Sequence, residues 1–314
     1  MVTILDPNSA LFAANLSRIE QRLAHADAQI SSGKRINVAS DAPDEIGPLL
    51  QLRTDQQRNQ QIQANLSLAK TDATSADNAL SSAIQLMDSG IQLATQGANG
   101  TQTAQTRADL AQQVQALQEE MVGFSQTQVQ GRYIFSGDQS QGPAYRLNLN
   151  APKGVDQLSS AASTQQIEDP AGGSFPAAKT AQEIFDTTTT TYDDAGNPIV
   201  LPASDNVFNA LNILRTALLN NDQQGVANSI SLLHNASNHL NSMEAFYGSV
   251  ENRIQSAMTF ASNYDIQLQT EISNKQDADI PTADMELTQA TTQLEAAFTV
   301  QGKVPTSTLF NYLA

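Results

Sequence analysis

Apolar residues recur in three- and four-residue steps at both ends of this chain: Leu16, Ile19, Leu23, Ala26 and Ile30 near the start, and Leu287, Ala290, Leu294 and Ala297 near the finish. Side chains at this spacing share one helix face and form a seam that needs a partner helix. When the first and the last helix both carry such a seam, the simplest closure lays them side by side. The same logic makes the paired ends a shared adhesive surface for other molecules. A chain built in this way reads as a building block rather than a catalyst.

Composition narrows the choice. Of 314 residues, 40 % are hydrophobic but only 5 % aromatic, with no Trp, which suits thin helical packing better than a thick globular centre. At a net charge of −16, repulsion works against binding to phosphate backbones and anionic membranes, so no nucleic-acid partner and no membrane insertion are expected. There is no Cys, which removes disulfides, thiolate metal sites and cysteine nucleophiles together. Met1 to Ala14 lacks a basic start and an apolar core, and Pro7 interrupts it, so no cleavable Sec-type signal is read there. No apolar run approaches the roughly 20 residues of a membrane span.

Along the chain, the first helix is expected to end near Gly33, a position suited to positive φ. Ser40 and Asp41 offer capping oxygens, and Pro43, Asp44 and Glu45 suit a helix start, with the regular helix expected to begin only at Pro48. Leu66, Ala69, Ala73, Ala76, Leu80, Ala83 and Met87 then hold heptad steps, predicting one helix over about 49–96 that ends at Gly97 and Asn99-Gly100. Leu110, Val114, Leu117, Met121 and Phe124 return as an antiparallel neighbour. From Gly131 the pattern changes: Tyr133, Phe135, Tyr145, Leu147 and Leu149 alternate, and Thr187–Thr191 with Ile199-Val200-Leu201 read as a hairpin around Asp194–Asn197. Ser204 or Asp205 restarts helix. A long stripe from Val226 to Leu268 follows, with a three-residue slip at Met243 that overwinds but does not end it, and Pro281 breaks the run.

The expected fold is mainly α: a long antiparallel helical bundle or coiled coil built from the N- and C-terminal parts, with a small β-rich inserted domain. The expected divisions are 1–40 with 281–314 as terminal helices, 41–135 with 204–280 as the long-helix bundle, and 136–203 as the β-rich insertion. Ordering the last ~30 residues costs on the order of 30–60 kcal/mol of backbone entropy. About seven larger apolar side chains there return roughly 10–20 kcal/mol, and only when covered. The terminal helices are therefore expected to be loose in the free chain and to order on assembly.

Catalytic chemistry finds little footing. His234 and His239 are five residues apart and so do not share a metal-binding helix face; with His25 they read as three solvated helix-surface histidines. Asp193-Asp194 fits a polar hairpin turn better than a calcium loop, and Asp44-Glu45 and Glu119-Glu120 are neighbours that face apart. No HExxH, P-loop, GxGxxG or GxSxG motif occurs. Lys34-Arg35 fits a salt-bridging corner better than a phosphate site. No catalytic, metal or cofactor residues are expected.

Four stretches carry a family likeness. Ser31-Ser32-Gly33-Lys34-Arg35-Ile36-Asn37 with Ser40-Asp41-Ala42-Pro43 closely resembles the N-terminal signature of the flagellin superfamily. Gly131-Arg132-Tyr133-Ile134-Phe135-Ser136-Gly137 and the ending Leu309-Phe310-Asn311-Tyr312-Leu313 resemble, within it, the hook–filament junction family, flagellar hook-associated protein 3, and Gly248-Ser249-Val250-Glu251-Asn252-Arg253 is similar to a corner which that family shares with flagellin. The likeness covers 1–137 and about 204–314. Two stretches depart from it: Gly47-Pro48, where the family continues a helix, and Ile280-Pro281, in place of an acidic linker.

The resemblance implies a structural adaptor outside the cell, exported through the flagellar type III apparatus with an export chaperone. Its partners would be the first hook-associated protein, flagellin, and copies of itself in a ring. It places inter-subunit contacts at Leu16, Ile19, Leu23, Ile30, Leu287, Leu294, Phe298, Leu309, Phe310 and Leu313, and a domain-junction turn at Gly33, Lys34, Arg35, Asn37, Asp41 and Pro43. The alternatives are a filament flagellin, a secreted enzyme with its activity in 136–203, which lacks His altogether, and a glycan-binding insertion.

Overall fold

The computed structural model describes residues 7–163 and 165–303. Its helices are α1 (Pro7–Ser32), α2 (Pro43–Ala98), α3 (Ala104–Ser125), α4 (Ala181–Phe185), α5 (Val207–Leu219), α6 (Gln223–Gln276) and α7 (Ile280–Lys303). Between α3 and α5 lie four antiparallel two-stranded hairpins. They are β1 (Gln128–Val129) with β2 (Arg132–Tyr133), β3 (Tyr145–Leu147) with β4 (Val155–Gln157), β5 (Gln166–Glu168) with β6 (Ser174–Pro176), and β7 (Thr188–Tyr192) with β8 (Pro198–Pro202). The fold is mainly helical with a small β-containing region, as the apolar periodicity predicts.

The chain divides into two compact units, Met1–Asn59 with Asn263–Ala314, and Gln60–Ser262. In the second unit α2 and α6 run antiparallel. Gln63 Nε2 donates to the Ala261 carbonyl at 3.1 Å, Lys70 Nζ to Gln255 Oε1 at 2.8 Å, and Thr74 Oγ1 to Glu251 Oε1 at 2.6 Å, each step up α2 matched by a step down α6. The heptad stripe from Leu66 to Met87 is buried along its whole length. So are Leu110, Val114 and Met121 of α3, and Val207, Leu211, Leu214 and Leu218 of α5. The slip at Met243 leaves α6 unbroken, with Leu240 buried before it and Tyr247 after it.

Aromatic side chains gather where the hairpins meet the helices. Phe135 meets Phe185 edge-on at 5.8 Å and Tyr247 at 6.4 Å, Phe185 stacks on Phe208 at 5.8 Å, and Tyr145 lies 5.1 Å from Phe208. Beside them Asp186, 1 % exposed, accepts from Tyr145 Oη at 3.0 Å, Lys153 Nζ at 2.5 Å and Asn206 Nδ2 at 2.7 Å. Three donors compensate that buried carboxylate. Burial, with Asp186 close by, pushes the Tyr145 hydroxyl pKa upward, so it remains a donor. Although aromatics are few, their placement gives this unit a thick centre.

Several local expectations need correcting. α2 is regular from Pro43 and passes through Pro48. The N–H that Pro48 lacks would have met the Asp44 carbonyl in the first turn, where both residues are exposed and water can replace it. Tyr133 and Phe135 do not continue one strand: β2 stops at Tyr133, Phe135 turns inward, and Leu149 lies beyond β3. The cap of α5 is Asn206, whose Oδ1 accepts from the Asn209 amide, while Asp205 accepts from Thr187 Oγ1 instead. Nor is His239 a solvated surface residue. It is half-buried, with Nε2 2.9 Å from the Glu183 carbonyl and Nδ1 3.5 Å from Asp205. The interruption of helix before α7 is at Asp277–Asp279, and Pro281 sits inside the first turn of α7, where no N–H is needed.

Candidate assembly interface

The first unit brings the two end seams together. Ala26 of α1 and Ala283 and Ala290 of α7 are fully buried, so small residues let the two helices approach closely. Leu16, Ile19, Leu23 and Ile30 on α1, and Leu287 and Leu294 on α7, flank these alanines half-buried. Arg22 Nη1 donates to Gln293 Oε1 at 3.2 Å across the pair. The side chains predicted to seal subunit contacts are thus partly occupied with one another. Phe298 is not: it is 55 % exposed. Leu309, Phe310 and Leu313 lie outside the described residues.

Sequence reasoning missed three strongly exposed apolar side chains, Leu11 (64 %), Met285 (66 %) and Val300 (64 %). They fall off the heptad stripe, and an apolar residue off the stripe of a paired helix was the signal available. Beside the seam, Phe12, Asn15, Leu16, Ile19, Gln293, Ala296, Ala297 and Val300 line a mostly apolar groove of about 350 Å³.

At the base of the helix pair two turns are locked together. Gly33 adopts φ +68° and its amide donates to the Gln29 carbonyl at 2.9 Å, ending α1 as its sequence position suggests. Lys34 forms an antiparallel bridge with Asp277, and the Ala278 amide donates to the Gly33 carbonyl at 2.9 Å. Arg35 donates through Nη2 to the Lys275 carbonyl at 2.6 Å and to Glu45 Oε2 at 3.1 Å, making the pair Lys34-Arg35 a salt-bridged corner. Asn37 Nδ2 donates to the Lys34 carbonyl at 2.9 Å. Asp41 does not cap α2. Its Oδ2 accepts from the Val38 amide at 2.9 Å and the Asn37 amide at 2.8 Å, and these hold its carboxyl pKa below the ordinary value. Pro43 opens α2 directly behind this turn. Among the described residues there is no group of three or more His, Asp or Glu placed to hold a metal, and no helix long and apolar enough to cross a membrane.

Helical ends packed on each other, joined to a long antiparallel pair and an inserted hairpin region, define the flagellin class of assembly proteins. The bacterial flagellin N-terminal helical region matches residues 8–140 and the C-terminal helical region residues 230–313, so the chain belongs to the flagellin superfamily. No curated protein matches it. Among solved structures, one assigned to the flagellar hook-associated proteins of Vibrio parahaemolyticus superposes with a TM-score of 0.62 at 20 % identity, over 76 % of this chain and 100 % of that one. FlgL of Xanthomonas campestris gives 0.56 at 15 %, over 69 % and 98 %. Flagellar hook-associated protein 3 of Legionella pneumophila gives 0.55 at 14 %, over 71 % and 97 %. The fold is the FlgL-type fold.

Proposed function

We propose that this chain is a non-catalytic structural adaptor of the bacterial flagellum, joining the hook to the filament. Supporting the reading is one observation above the others: α1 and α7 cover only part of each other's apolar surface, leaving an apolar groove lined in part by Val300, and Leu11 and Phe298 exposed. Exposed apolar patches of this kind mark surfaces that other chains cover. The partners in this reading are the first hook-associated protein, flagellin, and copies of the chain in a ring, after export with a chaperone. The locked turns at Gly33–Asp41 and Asp277 serve as the domain junction. Residues 136–203 face outward.

A filament flagellin is the second reading, favoured by the match to both flagellin helical regions. Deleting the gene separates the two: flagellin shed from intact hooks supports the adaptor, whereas capped hooks with no filament support the flagellin. Removing residues 288–314 should leave the helical content of 49–276 intact and abolish incorporation. Normal incorporation of that truncated chain would sink the assembly role.

A further inference from the structure

We propose that the side chains of Lys153 and Asn206 join in an amide bond, with Asp186 carrying protons between them. The bond is independent of the assembly role above.

One carboxylate holds both reactants. Asp186 Oδ2 accepts from Lys153 Nζ at 2.5 Å, and its Oδ1 accepts from Asn206 Nδ2 at 2.7 Å. A salt bridge alone accounts for the first contact, and capping of α5 uses only the Oδ1 of Asn206. The carboxylate nevertheless bridges the nitrogen that attacks and the nitrogen that leaves, the latter also donating to the Thr187 carbonyl at 2.8 Å. Asn206 Oδ1 accepts from the Asn209 amide at 2.8 Å, so the start of α5 draws electron density from the side-chain carbonyl carbon. Lys153 lies in the turn between β3 and β4, and two contacts pin that turn to α5. Asn212 Nδ2 donates to the Pro152 carbonyl at 2.8 Å, and Arg215 Nη2 to the Leu149 carbonyl at 3.0 Å. Asp186 and Asn206 are each 1 % exposed, whereas Lys153 reaches in from the surface with its side chain 25 % exposed. Amine, polarised amide and shared acid are thus gathered by the fold, which removes the entropy of bringing them together.

The reaction needs no outside reagent. The Nζ ammonium passes a proton to Asp186, which cancels two charges that burial penalises. The freed lone pair forms the Nζ–Cγ bond to Asn206, and the carbonyl π electrons move onto Oδ1, where the Asn209 amide stabilises them. Asp186 gives its proton to Nδ2 and takes one from Nζ. The Cγ–Nδ2 bond then breaks, the carbonyl reforms and ammonia leaves, taking the last proton from Asp186 as ammonium. Nothing is oxidised or reduced, and Asp186 ends as the carboxylate it began. The cap of α5 survives, because the new amide keeps its oxygen on the Asn209 N–H. In a chain with no cysteine, the product ties the β3–β4 hairpin to the helical core by a covalent bond.

Intact-mass spectrometry of the full-length folded chain, held at neutral pH and then digested, tests the bond. The expected mass lies below the sequence mass by one ammonia, with the peptide holding Lys153 joined to the peptide holding Asn206. Lys153→Arg keeps the cation without an attacking amine, and Asn206→Ser keeps a capping oxygen without an amide. Both are expected at full sequence mass, with circular dichroism showing that they fold. Asp186→Asn, which cannot carry the proton, is expected to join about a hundredfold more slowly. Full sequence mass for the unmodified chain would mean an ordinary buried ion pair and overturn the proposal, whatever the variants do. Loss of a water with the link at Asp186 would overturn it as well. So would ammonia loss that persists in Lys153→Arg, the mark of a succinimide at a site such as Asn99-Gly100.

Discussion

The Arg35 amide donates to the Gln276 carbonyl at 2.6 Å, which joins the turn after the first helix to the end of the sixth across 241 positions of sequence. The guanidinium of the same residue reaches the Lys275 carbonyl and Glu45. Both turns next to the terminal helices therefore depend on one residue. This is where the direction of α1 and α7 is set within their unit.

Replacing Arg35 with Ala removes the side-chain contacts and leaves the backbone bond. Because the guanidinium is 42 % exposed, its pair with Glu45 contributes little, and the contact with the carbonyl carries most of a loss of about 1–2 kcal/mol. Hydrogen exchange should show faster opening at residues 33–38 and 275–280, with the amides of 66–87 unchanged. Unaltered protection at both turns would show that the arginine does not hold them.

Asp41 gives the same turn a pH dependence. Its folded pKa lies below the usual carboxylate value, chiefly through the Val38 amide and then the Asn37 amide. The folded turn thus prefers the ionised form. That stabilisation is fully present above the unfolded pKa near 3.8 and is lost as pH falls through the folded value. Exchange protection at Asn37 and Val38 should be constant from neutral pH to about 5 and fall in the acid range. In Asp41→Asn it should be weak throughout and nearly independent of pH.

Gly97 sits in the last turn of α2, where a Cβ would stand 2.5 Å from Leu218 Cδ2 and 3.4 Å from Val226 Cγ1. Helix propensity alone would favour Ala by about 1 kcal/mol. Against it, Leu218 is fully buried and has little room to move, and overpacking costs about 1–3 kcal/mol. Gly97→Ala should therefore destabilise by up to about 2 kcal/mol in denaturant titration. A stabilised variant would mean the α2–α5 contact is looser than the geometry described here.

Phe208 is the aromatic shared by Tyr145 and Phe185. Its truncation to Ala should cost about 3–5 kcal/mol, visible as a lowered midpoint of unfolding. The effect should reach β3 and α4 as well as α5, since all three pack on that ring. Loss confined to α5 would separate the hairpin region from the helical core.

In a dilute solution of the free chain, the amides of α1 and α7 should exchange faster than those of α2 at 66–87. The seam between the terminal helices is mostly alanine and half-exposed leucine or isoleucine, which returns little against the entropy of ordering them. Protection equal to that of the α2 stripe would contradict the expected dependence of these helices on assembly.

Much of the fold was legible in the residues. The stripe from Leu66 to Met87 and those of α3 and α5 are the buried faces, because a helix exposes one periodic face to its neighbours and periodicity survives in the sequence. Gly33 could be placed because its positive φ is a local demand. Pro281 misled because its missing N–H falls among the first four of α7, which need no partner, and Pro48 because the single bond it removes frees an exposed Asp44 carbonyl that water can reach. The hairpin around Asp193–Asn197 was visible in its turn chemistry and β3 in the alternation of Tyr145 and Leu147, whereas β4 to β6 were too short to leave a pattern.

What the sequence determined by itself is the set of periodic faces, the turns that separate them and the family signature at Ser31–Pro43. Which faces meet belonged to the tertiary structure. It decided that the two end seams close on each other, that Asp41 folds back onto Asn37 and Val38 instead of capping α2, and that Phe12 and Leu16 meet Val300 around one groove. The reason is physical: helix periodicity and turn chemistry act between near neighbours along the chain, whereas the groove and the buried carboxylate exist only once segments far apart in the chain have packed.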